Sequence, residues 1–211
     1  MTEFSPIRTR KCQQIMQGAA KVFAEHGFDG SSSDELADRI GVSKATLYKY
    51  FPTKEQLFET VLLAECVRHR EQILEPRFDN LGAPEDILLE VARRLGRIFS
   101  SKVMISLFRL VIGEGQKFDK VLKAFFEAGP EATVSAIASL LDDMVADGRM
   151  DPIDDTKLAA SQFKELAKIG VFYPSLFEGR TDLSAAQLEQ HAADAVSAFL
   201  KIYPPCRNVC A

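Results

Sequence analysis

A chain of 211 residues, 46% hydrophobic and 27% charged, is long enough for a sizeable core and too evenly mixed to be a disordered tail. Twelve Gly, nine Pro and four Cys exclude a collagen-like or disulfide-stapled architecture. The formal charge is −4, yet residues 1–60 balance their bases and acids, and the stretch from Ile40 to Lys54 holds Lys44, Lys49 and Lys54 and no acid, a local basic surface on an acidic protein.

No apolar run approaches the roughly 18 to 20 residues that cross a bilayer. Polar Gln13 and Gln14 follow Arg8, Arg10 and Lys11 where an export signal would place its apolar core, so a cytoplasmic protein with reduced thiols is expected. Apolar residues recur three and four apart with little period-two alternation, which predicts an all-α fold. Ser5 and Pro6 predict the start of a first helix that carries Ile15, Ala19, Val22 and Phe23 on one stripe and ends at Gly27. Ser32 stands three residues before Glu35, a capping-box spacing that opens a short helix containing Leu36, Ala37 and Ile40 and closed by Gly41. Ser43 caps a third helix through Phe51; Pro52 and Thr53 end it and cap a longer one from Lys54 to about Leu74.

Beyond Pro76, Ala83-Pro84-Glu85-Asp86 starts a helix that runs to about Phe99. Breaks predicted at Gly113 and Gly115, at Gly129-Pro130, at Asp147-Gly148, at Asp151-Pro152 and between Tyr173 and Thr181 delimit five or six more. The last carries Leu188, Ala192, Val196, Phe199 and Tyr203 on one stripe behind a Ser184/Gln187 capping box, and an irregular tail follows from Pro204.

Ser32 to Phe51 has helix-turn-helix spacing: Ala37 lies four residues before Gly41 and Leu47 six after it. A small Ala37 lets the second helix cross closely, and Gly41 takes the left-handed conformation of the turn. At about 100° per residue, Ser43, Leu47, Tyr50 and Phe51 fall on one side and Lys44, Ala45, Tyr48 and Lys49 on the other, with Thr46 at the edge. The outward face suits a DNA major groove, where lysines meet phosphates or guanine edges and a small Ala45 allows close approach. Tyr48 is placed to hydrogen-bond a phosphate, Lys54 to anchor another at the start of the fourth helix, and Ser32 and Ser33 at the start of the second. A solvated lysine-rich helix is the bland alternative, which the small-Gly-apolar spacing outweighs.

Ala19-Ala20 and Phe23, Gly27-Phe28, Leu36-Ala37, the run from Gly41 to Phe51, Lys54-Glu55 and Leu57 together resemble the TetR/AcrR family of one-component bacterial regulators. Phe108 to Ile112 and Phe125 to Pro130 are similar to the C-terminal domain of its AefR-like subgroup. The resemblance implies a homodimer whose recognition helices enter successive major grooves of a partly palindromic operator, about 34 Å apart. It places Ser32, Ser33, Lys44, Thr46, Tyr48, Lys49, Tyr50 and Lys54 at DNA-contacting positions. Two departures stand out: Asp34 would repel phosphate if it faced the groove, and Ala45 replaces a frequent glycine. Residues 1–53 are then the DNA-binding domain, with the motif over about 32–51, and 54–211 the effector-binding and dimerisation domain.

By the same resemblance, Leu158, Phe163, Leu166 and Ile169 with Leu188, Ala192, Val196 and Phe199 are expected to build a four-helix dimer interface. Phe99, Phe108, Ile112, Phe125 and Phe126 are expected to line an apolar pocket for a small apolar or amphipathic effector, although without tryptophan the phenylalanines are also the natural core filler. Repression relieved by that ligand is the expected function, with double-stranded DNA as partner and no membrane, cofactor or metal. Three rival readings are open. Cys206 with Cys210, or Cys66 with His69, suggests a thiol switch or metal ligands, but structural zinc needs four. An enzyme finds poor support in three histidines, of which His26 suits a cation at the end of the first helix and His69 between two arginines reads as solvated. A purely structural interaction protein explains the amphipathic helices but not the helix-turn-helix face.

Overall fold

In the computed structural model, which describes residues 9–74, 82–114, 119–179 and 183–206, Thr9 sits in an extended conformation and its side chain accepts the Cys12 amide. This opens α1 (Arg10–His26), so the described helix starts later than Ser5 and Pro6 predict, and those two residues lie outside the described ones. Ser32 and Ser43 cap α2 (Ser33–Ile40) and α3 (Lys44–Tyr50) as the sequence implies, each accepting a backbone amide three residues on. Thr53 does the same for Gln56 at the start of α4 (Lys54–Leu74).

Then come α5 (Pro84–Phe99), α6 (Lys102–Glu114), α7 (Asp119–Phe126), α8 (Ala132–Ala146), α9 (Thr156–Ile169), α10 (Phe172–Glu178) and α11 (Ala185–Ile202). The fold is all-α, and among the described residues the extended pairing is one antiparallel bridge between Met150 and Pro205. No described helix is long and apolar enough to cross a membrane.

Three predicted breaks differ from what forms. Gly113 lies inside α6, while Gly115 falls outside the described residues. Gly129-Pro130 does not interrupt helical bonding: Glu127–Glu131 forms a π turn in which the Ala132 amide reaches the Glu127 carbonyl. The wider turn accommodates a proline that has no N–H to give an α-helical ladder. The segment after Tyr173 is helical, because Pro174 falls in the first turn of α10, where amides have no helical partner, and Gly179 closes it at φ +73°.

Packing divides the chain into two compact units, one with residues up to Cys66 and Lys102–Phe125, the other with Val67–Ser101 and the residues from Phe126 on. The expected division at residue 53 therefore runs through the first unit. In that unit α1 packs against α2 and α6, and Phe23, Phe28 and Phe58 meet at 5.2–6.2 Å between ring centres. In the second, α5 packs against α9 and α11, and α9 against α8, α10 and α11, around Leu88, Val91, Leu95, Ile137, Leu141, Phe163 and Phe199.

Candidate nucleic-acid interface

Helix α2 crosses α1 closely because Gly18 leaves room: a Cβ there would stand 2.8 Å from Ile40 Cγ1. Gln14 Nε2 fastens the crossing by donating to the Ile40 carbonyl at 3.1 Å. Gly41 turns the chain at φ +74°, ψ +44°, the left-handed conformation that a side chain disfavours, and its amide closes α2 on Ala37 and Asp38. Leu47 and Phe51 are buried and seat α3 on this platform. Lys44, Ala45, Tyr48 and Lys49 are exposed on its other side, as the helical wheel requires, and Thr46 and Tyr50 are half-buried. Ser43, placed by the wheel on the packing side, is exposed, because its hydroxyl is occupied in capping the Thr46 amide and in a 2.8 Å contact with Thr46 Oγ1.

The exposed face is tied to α2. Lys44 Nζ lies 2.9 and 3.0 Å from the two Asp34 oxygens, and the hydrogen bond to Asp34, followed by its charge, holds the Lys44 ammonium above the usual lysine range. Tyr48 Oη donates to Ser33 Oγ at 2.8 Å. These two bonds join residues 10 and 15 apart in sequence and fix the side chains of α3 relative to the start of α2. Lys54, expected on a phosphate, donates to the carbonyls of Phe28 (2.8 Å) and Ser31 (3.0 Å) and lies 4.2 Å from the centre of the Phe28 ring. Ser31 is fully buried, and its hydroxyl donates to the Gly27 carbonyl. Lys54 is thus the link between α4 and the α1–α2 turn. Sequence spacing carries no signal for the bonds of these three side chains, Lys44, Tyr48 and Lys54, since each depends on how the helices cross.

Of the expected pocket residues, Phe108 meets Phe125 edge-on at 5.6 Å in the first unit and Phe99 meets Phe172 at 5.7 Å in the second. Ile112 and Phe126 are 68% and 56% exposed, so neither lines a closed pocket here. The expected dimer residues also divide. Phe163, Ala192, Val196 and Phe199 are buried inside the protomer, with Phe163 and Phe199 edge-on at 5.0 Å, whereas Leu158 and Ile169 are 52% and 64% exposed and Leu166 and Leu188 half-buried. A helical stripe says that a face is covered but not by what, and α9 and α11 cover each other.

His69 is buried rather than solvated, and His26 Nε2 lies 2.6 Å from Arg39 Nη1, in a surface cluster with Glu25 and Glu35 rather than as a lone helix-end cation. Cys12 and Cys66 are buried, Cys206 is exposed and Cys210 lies outside the described residues. Asp155 caps α9 by accepting the Leu158 amide. Among the described residues no three His, Cys, Asp or Glu side chains converge as a metal site would need.

Residues 15–61 match the bacterial regulatory proteins of the tetR family, and residues 86–205 match the AefR-like transcriptional repressor C-terminal domain. A TetR-family transcriptional regulator of Mesorhizobium loti, as that protein is described, superposes with a TM-score of 0.82 at 30% identity, over 93% of this chain and 99% of the other. The flavonoid-responsive regulator FrrA superposes with a TM-score of 0.71 at 31% identity, over 92% and 97%. The HTH-type transcriptional repressor AcnR of Corynebacterium efficiens is 33% identical over 70 residues, 33% of this chain and 36% of that protein, so the chain spans about a third of the curated relatives it matches first. The helix-turn-helix, the all-α architecture and these matches agree: the chain belongs to the TetR family of transcriptional regulators, with a C-terminal domain of the AefR-like type, and not to an enzyme family.

Proposed function

We propose that the protein is a repressor that binds a palindromic operator as a homodimer and is released by a small apolar or amphipathic effector. The observation that carries the reading is the α3 face, on which Lys44, Ala45, Tyr48 and Lys49 are exposed over a buried Leu47 and Phe51. Those side chains, with Thr46 and the Ser32 and Ser33 hydroxyls at the start of α2, are the proposed DNA contacts. Tyr50 contributes through its exposed part, and Lys54 acts by holding the α1–α2 turn in place.

Leu158 and Ile169, with Leu166 and Leu188, are the accessible part of the proposed dimer surface. The aromatic pairs Phe108–Phe125 and Phe99–Phe172 support an apolar effector, as does the likeness to a regulator described as flavonoid-responsive. Helix α4 contributes residues to both compact units and is the proposed route of the signal. The effector acts only through unequal affinity for the free and operator-bound protein, and about 1–3 kcal/mol of coupling lowers DNA affinity 5- to 150-fold.

Selection of duplexes from a random pool, followed by footprinting at a fixed salt concentration with reduced protein, tests the reading. An inverted repeat protected by a dimer is expected, with binding lost in Lys44→Ala and Tyr48→Ala. Failure to enrich any duplex, or unaltered operator binding in both variants, would refute it.

A further inference from the structure

Asp34 stands in the first turn of α2 with its side chain 77% exposed, both oxygens turned to the ammonium of Lys44, the residue that opens α3. The first turn of a helix attracts phosphate through its unpaired amides. A carboxylate there cancels that attraction, and here it also occupies a lysine of the face offered to DNA. Across Ser32 to Phe51 the acids Asp34, Glu35 and Asp38 balance the bases Arg39, Lys44 and Lys49, so the motif presents no net charge. Non-specific affinity for DNA is electrostatic and rises with the phosphates neutralised, whereas base edges in the groove carry sequence information.

Resting on the operator-binding reading, we propose that Asp34 is a specificity-determining residue: it holds Lys44 in an ion pair that a matching base sequence displaces and random DNA does not. On random DNA the pair stays closed, Lys44 contributes little, and the carboxylate repels the backbone. At an operator that seats α3 deeply, acceptors such as guanine O6 and N7 replace both carboxylate contacts. Asp34 therefore weakens non-specific binding more than operator binding.

The test compares wild type, Asp34→Asn and Asp34→Glu on a short random-sequence duplex and on a duplex selected by the wild type, between about 50 and 200 mM salt. Removing a carboxylate about 6 Å from a phosphate in water is worth about threefold, so Asp34→Asn is expected to bind random DNA about threefold more tightly at low salt. Its salt slope steepens by about 0.9 per subunit, an additional loss of about 3.5-fold across that range. The ratio of selected to random affinity falls, and Asp34→Glu keeps the wild-type values. Equal gains on both duplexes, unchanged random affinity and slope, or Asp34→Glu behaving like Asp34→Asn would each overturn the assignment. Loss of operator binding alone would also overturn it, making Asp34 a reader of a base such as cytosine N4. Wild type that enriches no duplex refutes the operator reading itself, whereas enrichment with an indifferent Asp34→Asn refutes only the role of Asp34. A purely structural pair shifts the melting temperature of Asp34→Asn without moving the salt slope, and that result also counts against the proposal.

Discussion

Lys54→Met keeps the length and apolar stem of the side chain and deletes the ammonium that bridges α4 to the α1–α2 turn. The Phe28 carbonyl retains the Ser31 amide at 3.2 Å, so the loss falls on the Ser31 carbonyl, on a residue without solvent exposure. A hydrogen bond from a charged donor contributes about 1.5–3 kcal/mol and an exposed cation–π contact about 0.5–1 kcal/mol. Lys54 is only half-buried, which favours the low ends, and together they come to about 2 kcal/mol. For a chain of this length that lowers Tm by about 4–8 °C, measured by circular dichroism and checked against the urea midpoint. Operator binding, measured well below the lowered Tm, should keep its salt slope, because the ammonium is turned to the protein. An unchanged Tm with a slope reduced by about 0.9 per subunit would show that Lys54 works on a phosphate instead and refute the bridging role.

Two glycine substitutions separate backbone from side-chain obstruction. A Cβ at Gly30 would overlap the His26 carbonyl, so Gly30→Ala should cost about 2 kcal/mol and about 4–8 °C of Tm. A Cβ at Gly170 would overlap the His191 ring, which can swing aside, so Gly170→Ala should cost clearly less; equal losses would contradict this. Charges on the accessible part of the proposed dimer surface, Leu158→Glu or Ile169→Glu, should weaken dimerisation by about 3 kcal/mol, roughly 100-fold, in sedimentation equilibrium; an unmoved dissociation constant would place the interface elsewhere. Burial pushes the Cys12 thiol above its ordinary value and encloses Cys66, so iodoacetamide should label Cys206 in the native protein and Cys12 and Cys66 only after unfolding. Peptide mass mapping that finds native Cys12 modified would count against that packing.

Local chemistry was readable where it acts over a few residues. Ser32, Ser43 and Ser184 each cap a helix because a short side chain meets an amide three residues away, and the turn at Gly41 follows from one positive φ. Pro130 and Pro174 show the limit of such reading: proline forbids one donor but does not dictate whether a π turn or a helical first turn absorbs the defect. The orientation of α3 was legible from its apolar pair, yet the partners of Lys44, Tyr48 and Lys54 were not, since they are set by helix crossings. The stripes of α9 and α11 were correctly apolar, but whether Phe163 and Phe199 face a second subunit or each other depends on an angle that periodicity does not contain.

The bridge between Met150 and Pro205 gives the C-terminal tail a mechanical meaning. The Asp151 amide donates to the Pro204 carbonyl and the Cys206 amide to the Arg149 carbonyl, so α9, α10 and α11 form an excursion that leaves and returns at one point. Closing an excursion of this kind costs conformational entropy that grows only slowly with its length, and the hydrogen bonds of the clasp offset part of that cost. Loss of the residues from Pro204 onward would therefore be felt across three helices.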